Sequence, residues 1–144
     1  LGRQFNEWSA PTYIMNKCIG AIELTDKGAF AGNTMIYIAY VDGKPALVLD
    51  NIELKTKYHN NDKIRDTFVN YAKKLCEELG QPDLPIYAGP NRHKLNMDIF
   101  PKEERSMLPI GSTGKQKVYL DYDAGSHIIG TSEQPVSIQM YKIR

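Results

Sequence analysis

Residues 34–54 read TMIYIAYVDGKPALVLDNIEL and carry the clearest structural signal in the chain. β-Branched and aromatic residues dominate 34–41, a composition typical of a strand. The Asp42-Gly43 pair follows and favours a two-residue hairpin turn, because both central positions of such a turn need a positive φ. A second strand returns over 44–54. The stretch therefore predicts a β-hairpin.

The predicted register of this hairpin places Val41 opposite Lys44 and Tyr40 opposite Pro45. Tyr40 and Pro45 then form a non-hydrogen-bonded pair, so the missing N–H of Pro45 interrupts no ladder bond on that side. Both strands are apolar on both faces. Strands of this kind lie in the middle of a sheet with other elements covering them.

The spacing of apolar residues over 62–79 predicts an amphipathic helix after the hairpin. Asn61 or Asp62 is a suitable N-cap, and Gly80 is a suitable residue just past the C-terminus. The predicted buried side chains step by three or four residues, as one helix face requires; they are Ile64, Phe68, Ala72, Leu75 and Leu79, with Val69 and Cys76 beside them.

Shorter patterns assign the rest of the chain. Residues 1–33 are expected to be a lead-in packed on the body, in which 18–24 form a strand or a helical turn. Turns are expected at 26–28 and at 32–33. The C-terminal half is predicted as a strand at 86–89, a short helix at 94–100, a loop at 101–116, a strand at 117–123, a connection at 125–135 and a strand at 136–143.

Together these elements predict one α/β or α+β domain spanning residues 1–144, with 34–143 as its core. The expected sheet is mixed and mostly antiparallel, has about five to seven strands, and carries helices packed on it. The chain begins with Leu1 rather than Met. We therefore expect a processed protein or a piece of a longer one, whose other domains are possible partners.

The composition argues against several function classes. Apolar residues make up 42% of the chain, so it can bury a core. Lys plus Arg number 18 and Asp plus Glu 17, a balance that disfavours a nucleic-acid binder. No apolar run is long enough to span a bilayer, so no membrane partner is expected. Cys18 and Cys76 read as reduced thiols, which favours a cytoplasmic location.

A polar group follows the central strand and is a first candidate site. Asp50, Asn51 and Glu53 come directly after an apolar run. By strict alternation Asn51 and Glu53 share one face, and Asp50 shares the other with Ile52. A carboxylate lining a cleft there could act as a general base. The alternative is that the strand simply emerges into solvent at Asp50.

The segment between this strand and the helix is a second candidate site. A helix N-terminus after a central strand offers free N–H groups and a positive dipole end, which suit an anion. Lys55, Lys57 and Lys63 surround it. The alternative is an ordinary capped helix start, with Asp62 satisfying the N–H groups.

Histidine and cysteine give weaker signals. His59, His93 and His127 have no metal-ligand spacing with each other or with the cysteines, so no metal site is predicted. Cys18 with His59 or His127 could form a thiol–imidazole pair of a hydrolase or transferase. The apolar setting of Cys18 argues instead for an inert thiol.

From Thr34 onward the element order resembles the acyl-CoA N-acyltransferase (GNAT) superfamily. In that family the second hairpin strand leads into a helix whose N-terminus holds the pyrophosphate of acyl-CoA. The next strand splays away and leaves a V-shaped cleft for the thioester, and the last two strands pair antiparallel. The family loop Gln/Arg-x-x-Gly-x-Gly/Ala has no match in residues 58–63, which contain no Gly or Arg.

The resemblance implies an enzyme that transfers an acyl group from acetyl-CoA, or another acyl-CoA, to a small-molecule or protein amine. It implies Glu53 as the proton acceptor and Tyr87 as an acid for the leaving thiolate. The implied donor-binding residues lie along the strand, in the loop and near the next helix; they are Ile52, Leu54, Lys57, Asn60, Asn61, Lys63 and Asn91.

A non-catalytic interaction or regulatory domain with the same fold is the alternative function. The absent loop glycines and the near-neutral charge favour it. Its candidate docking surface comprises Phe5, Trp8 and Tyr13.

Overall fold

The computed structural model describes residues 19–50, 52–59, 61–89, 105–113, 118–119 and 128–144. The strands, in chain order, are β1 (Ile19–Asp26), β2 (Ala29–Val41), β3 (Lys44–Leu49), β4 (Glu53–Leu54), β5 (Ile86–Ala88), β6 (Arg105–Ser112), β7 (Val118–Tyr119), β8 (Ile128–Thr131) and β9 (Val136–Lys142). A 3₁₀ turn spans Thr56–Tyr58, and the helix α1 spans Asp62–Glu78.

The predicted hairpin is confirmed as β2 and β3. Val41 pairs with Lys44 and Tyr40 with Pro45, as the register required. The turn residues Asp42 and Gly43 have φ values of 50° and 72°. Apart from its two turn-proximal residues, β3 is buried on both faces, which confirms its central position.

The N-terminal segment is more regular than predicted. Residues 19–26 form a strand, β1, which pairs antiparallel with β2 through a turn at Lys27 and Gly28. The turn predicted at 32–33 is wrong, because β2 already begins at Ala29 and runs through these residues. Gly32 and Asn33 lie in the sheet because β1 pairs with one edge of β2 there and β4 with the other.

The sheet is mixed and mostly antiparallel, which confirms this part of the predicted fold class, whereas the described residues contain one α-helix rather than several. In the described part of the chain only the β3–β5 and β6–β8 pairs are parallel. β2, β3, β5, β9 and β6 pair in that order, and β6 returns to β2, so these strands close into a barrel. The closed ring gives the sheet one inner face and one outer face.

Two apolar clusters occupy these faces. The inner cluster fills the barrel with side chains from β2, β3, β6 and β9; it contains Tyr37, Ala39, Val41, Ala46, Val48, Ile110, Ile138 and Met140. The outer cluster joins α1 to the sheet; its members include Leu47, Leu49, Leu54, Phe68, Ala72, Cys76, Ile86 and Tyr141. One cluster therefore holds the barrel together and the other fixes the helix on it.

The predicted helix and its ends are confirmed, with one change. The Asn61 side chain caps α1 by accepting from the Lys63 N–H at 3.1 Å. Gly80, just past the end, has a φ of 69°, which suits glycine. Leu79, predicted to be buried, is 54% exposed because it lies beyond the last helical turn.

The C-terminal half departs most from prediction. The loop expected at 101–116 contains β6, and the connection expected at 125–135 contains β8. Pro109 argues against a strand in the sequence and so prevents the prediction of β6. Its carbonyl accepts from the Asp42 N–H at 2.8 Å, so its missing N–H lies on that edge and leaves the pairing with β9 intact. In the described residues β9 pairs with β5 and β6, and the described part of the strand predicted at 117–123 is β7, which pairs with β8. The helix predicted at 94–100 lies outside the described residues.

Candidate functional site

The main feature of the candidate site is a β-bulge at the end of β3. The Asp50 N–H donates to the Met35 carbonyl at 2.8 Å, continuing the register of β3 on β2. Glu53 then pairs with Asn33. Between these two pairs, β2 contributes one residue, Thr34, and the β3–β4 segment contributes two. One extra residue in one strand of an antiparallel pair is a bulge.

The bulge places Asp50 and Glu53 on the same face of the sheet. Met35 and Asn33 are two apart in β2, so both face the inner side with Tyr37. Asp50 is opposite Met35 and Glu53 is opposite Asn33. The prediction that the two carboxylates face opposite sides is therefore wrong, because strict alternation fails across a bulge. Their backbone positions are about 7 Å apart along the strand.

Asp50 and Glu53 differ in their exposure. Asp50 is only 1% exposed, and its main-chain carbonyl accepts from the Thr34 hydroxyl at 3.2 Å. Glu53 is half-buried at the edge of the same face. A solvent-accessible substrate can reach Glu53 more readily, so Glu53 is the better candidate for direct chemistry.

The pairing of β3 with β5 leads up to the bulge. In the described residues β5 pairs with β3 from Leu47 to Leu49, and the Gly89 N–H donates to the Leu49 carbonyl at 2.9 Å. Beyond the bulge, β4 pairs with β2. The two parallel strands, joined through α1, are therefore described side by side up to the residue before Asp50.

The edge of β4 that faces away from β2 carries the main-chain groups of Leu54, a residue that is 7% exposed. The Lys55 N–H donates to the Ala31 carbonyl on β2 at 2.9 Å, so the groups of Leu54 point away from β2, toward the β5 side. The Leu54 carbonyl lies 3.1 Å from Nε2 of His59. Within the described residues no partner of the Leu54 N–H is seen on this edge.

The start of α1 has most of its N–H groups satisfied. The Lys63 N–H donates to the Asn61 side chain, and the N–H groups of Ile64 and Arg65 donate to the Asn61 carbonyl at 2.9 and 3.4 Å. Asp62 forms an ion pair with Arg65 at 3.5 Å. An anion bound here would therefore depend on lysine side chains more than on helix N–H groups.

Two of the predicted lysines lie over aromatic rings beside this helix start. Lys55 Nζ is 5.5 Å from the centroid of Phe30, and Lys57 Nζ is 4.5 Å from that of Tyr58. The side-chain interaction with Tyr58 raises the pKa of Lys57 above its usual value, and Asp26 adds to the effect. Lys63 is exposed. All these side chains are cations near the β4–α1 loop.

Tyr87 shares the inner face with Asp50 and Glu53 but lies at a different level. Tyr87 pairs with Val48, and Val48 pairs with Tyr37 of β2. Glu53 pairs with Asn33, which is four residues from Tyr37 along β2. That separation is about 13 Å. Burial raises the pKa of Tyr87, and so does Asp42 at the hairpin turn, on the far side from Glu53. The structure does not bring the two predicted catalytic residues together.

Several predicted residues lie outside the described part of the chain, namely Asn51, Asn60, Asn91, Cys18, His93, His127, Phe5, Trp8 and Tyr13. Cys76 is fully buried, and burial raises its thiol pKa, so it is not an activated nucleophile. Over the described ranges, no group of three or more His, Cys, Asp or Glu side chains could hold a metal ion. No helix in those ranges is long and apolar enough to cross a bilayer.

Sequence reasoning missed two residues that shape the site. Thr34 bonds across the bulge, and Gly32 lets β4 approach β2 closely, since a Cβ at Gly32 would lie 2.5 Å from the Glu53 carbonyl oxygen. The sequence pattern at Gly32 predicts a turn. A glycine within an otherwise strand-like run also indicates close backbone approach, which is the correct reading here.

Comparisons of the chain with protein-family models, with curated proteins and with solved structures find no match.

Proposed function

We propose that the protein is an acyl-CoA N-acyltransferase, with the thioester bound between strands β4 and β5. The observation that carries this proposal is the change of pairing at the bulge. A parallel pair joined through a helix is described up to Leu49, β4 then pairs with β2, and the edge of β4 away from β2 carries the Leu54 N–H. An extended chain with amide groups, such as the pantetheine arm of CoA, suits an open strand edge.

The order of the elements supports the same proposal. The second hairpin strand leads into α1, the following strand β5 pairs parallel with β3, and β9 pairs antiparallel with another late strand, β6. These are the features expected from the GNAT superfamily. The pairing of β6 with β2, which closes the barrel, and the absence of the family's glycine-rich loop are departures from that plan.

The proposed reaction uses Glu53 as the proton acceptor. The amine nitrogen attacks the thioester carbonyl, a C–N bond forms, the C–S bond breaks, and the amine proton passes to the Glu53 carboxylate, directly or through water. The thiolate of CoA leaves and takes its proton from solvent, because Tyr87 lies too far along the strand from Glu53 to serve both atoms. Asp50 and Glu53 on one face favour an acceptor that carries a positive charge in addition to its uncharged, reacting amine.

Glu53→Gln tests the chemical role. Release of free CoA thiol is measured with acetyl-CoA and a panel of primary amines, and donor binding is measured by calorimetry. The variant should bind the donor normally while kcat falls about 100-fold or more, since only a proton acceptor is lost. Glu133→Gln, an exposed carboxylate between β8 and β9, is the matched control. An unchanged kcat in Glu53→Gln would contradict the proposed role.

Charge reversal tests where the phosphates of the donor lie. The double variant Lys57→Glu, Lys63→Glu should weaken acyl-CoA binding at least tenfold and leave the melting temperature nearly unchanged. These two cations lie nearest the start of α1, where the helix N–H groups already have partners. Lys44→Glu with Lys142→Glu makes the same charge change at exposed positions elsewhere. Equal effects from both pairs would remove the assigned phosphate position.

A second candidate is a non-catalytic domain with this fold. The satisfied N–H groups at the start of α1 favour it, because they leave few preformed donors for a diphosphate. Under this alternative neither acetyl-CoA nor longer acyl-CoAs bind at millimolar concentration.

A further inference from the structure

Thr34 is the residue of β2 that stands opposite the bulge. It is 3% exposed, and its hydroxyl oxygen lies 3.2 Å from the Asp50 carbonyl oxygen and 3.1 Å from that of Met35. A hydroxyl has one hydrogen to donate, so it holds one of these carbonyls at a time. Its bond to Asp50 crosses from β2 to the residue that directly precedes the bulge.

The bulge decides which way Glu53 points. β3 pairs with β2 in a register in which Asp50 is opposite Met35, and β4 pairs one residue further on. If the first register continued, residue 53 would be opposite Gly32 and would turn toward the α1 side, because a slip of one residue moves a side chain to the other face. The extra residue keeps Glu53 on the inner side with Asp50.

We propose that Thr34 is a positioning residue that stabilises the bulge and thereby aims Glu53 at the acceptor amine. This inference rests on the proposed acyl transfer, but the orientation of residue 53 is a separate claim with its own measurement. Bulges next to active sites commonly re-aim a side chain, and the Thr34 side chain bonds across the strands at this bulge.

Kinetics give the first test. Thr34→Val keeps the shape of the side chain and removes the hydroxyl, so kcat should fall at least tenfold while KM for acyl-CoA stays within about twofold. Thr34→Ser restores the hydroxyl and should recover most of kcat. Thr25→Val, at an exposed position of β1, is the matched control and should behave as the wild type. A wild-type kcat in Thr34→Val would overturn the proposal.

Thiol labelling gives a test that does not need activity. Glu53→Cys should react readily with iodoacetamide, with the modified peptide identified by mass spectrometry. Adding Thr34→Val should slow that reaction at least fivefold, because residue 53 turns toward the buried α1 side, and Thr34→Ser should not. Equal labelling rates in both backgrounds would overturn the positioning role.

The two tests separate the two claims. If labelling responds to Thr34 while no variant, the wild type included, transfers an acyl group, the positioning role stands and the acyltransferase proposal fails. If the wild type transfers an acyl group and neither kcat nor labelling responds to Thr34, the positioning role fails alone. Should Thr34→Val not fold, Thr34→Ala, which introduces no branched methyl, takes its place in both experiments.

Discussion

Replacing Gly32 with Ala should destabilise the protein more than a single methyl group normally would. A Cβ at Gly32 would lie 2.5 Å from the Glu53 carbonyl oxygen, 2.5 Å from Leu54 Cδ2 and 3.3 Å from Leu54 Cα. Leu54 Cδ2 can move with its rotamer, but the carbonyl belongs to the backbone of β4. The whole strand would have to move by about 1 Å to reach an ordinary contact near 3.4 Å.

Three contributions determine how much this shift lowers the free energy of unfolding. Overpacking of this kind costs about 1–3 kcal/mol. Moving β4 also weakens the 2.9 Å bond from the Lys55 N–H to the Ala31 carbonyl, worth about 1 kcal/mol. The smaller entropy of the unfolded Ala chain returns about 0.4–1 kcal/mol. The net loss is about 1–3.5 kcal/mol, which lowers the melting temperature by about 3–14 °C in a chain of this length.

Thermal and urea unfolding followed by circular dichroism measure this loss. Gly20→Ala is the matched control, because its Cβ would meet only the Ile36 side chain, at 3.2 and 3.4 Å, and a side chain can adjust. Gly20→Ala should change the free energy of unfolding by less than about 1 kcal/mol. Equal stability of the two variants would refute the close approach of β4 to β2.

Three further changes test other parts of the structure. Tyr58→Phe removes the 2.6 Å hydrogen bond from the Tyr58 hydroxyl to Asp26 and should lower the free energy of unfolding in urea by about 1–2 kcal/mol. An unchanged urea midpoint would show that the bond is not maintained in solution. Asn61→Ala removes the cap of α1 and should cost about 1 kcal/mol, whereas Asn61→Asp should retain most of the stability. Burial raises the pKa of the Cys76 thiol, so the thiol loses its proton in the unfolded chain before it does in the folded protein. The free energy of unfolding should therefore fall as the pH rises above about 9. Cys76→Val should show a shallower fall, and parallel curves of unfolding free energy against pH would contradict this.

The hairpin and the helix could be predicted because their signals are local. Asp42-Gly43 specifies its own turn, and the spacing from Ile64 to Cys76 specifies one helix face. β6 could not be predicted, because Pro109 is tolerated only through the position of its missing N–H relative to β2, which depends on a distant pairing. Barrel closure depends on the same long-range pairing.

The candidate site was predictable only in part. Glu53 and the run of lysines stand out in the sequence because polar residues follow a buried strand. The orientation of Asp50 was not predictable, since strict alternation holds until a bulge occurs, and this bulge depends on how β2 pairs with two separate segments. Thr34 and Gly32 carry no chemical signal by themselves and acquire their roles from that pairing.

An NMR titration of the ¹⁵N-labelled protein with acetyl-CoA tests the central claim most directly. Desulfo-CoA lacks the thioester and serves as the comparison ligand. The account predicts saturable shifts of the Leu54 amide, which faces the open edge of β4, together with the amides of residues 61–65 at the start of α1. The amides of β1 on the far edge of the sheet should not respond. No shift at millimolar acetyl-CoA, or shifts confined to other parts of the chain, would contradict a thioester site between β4 and β5.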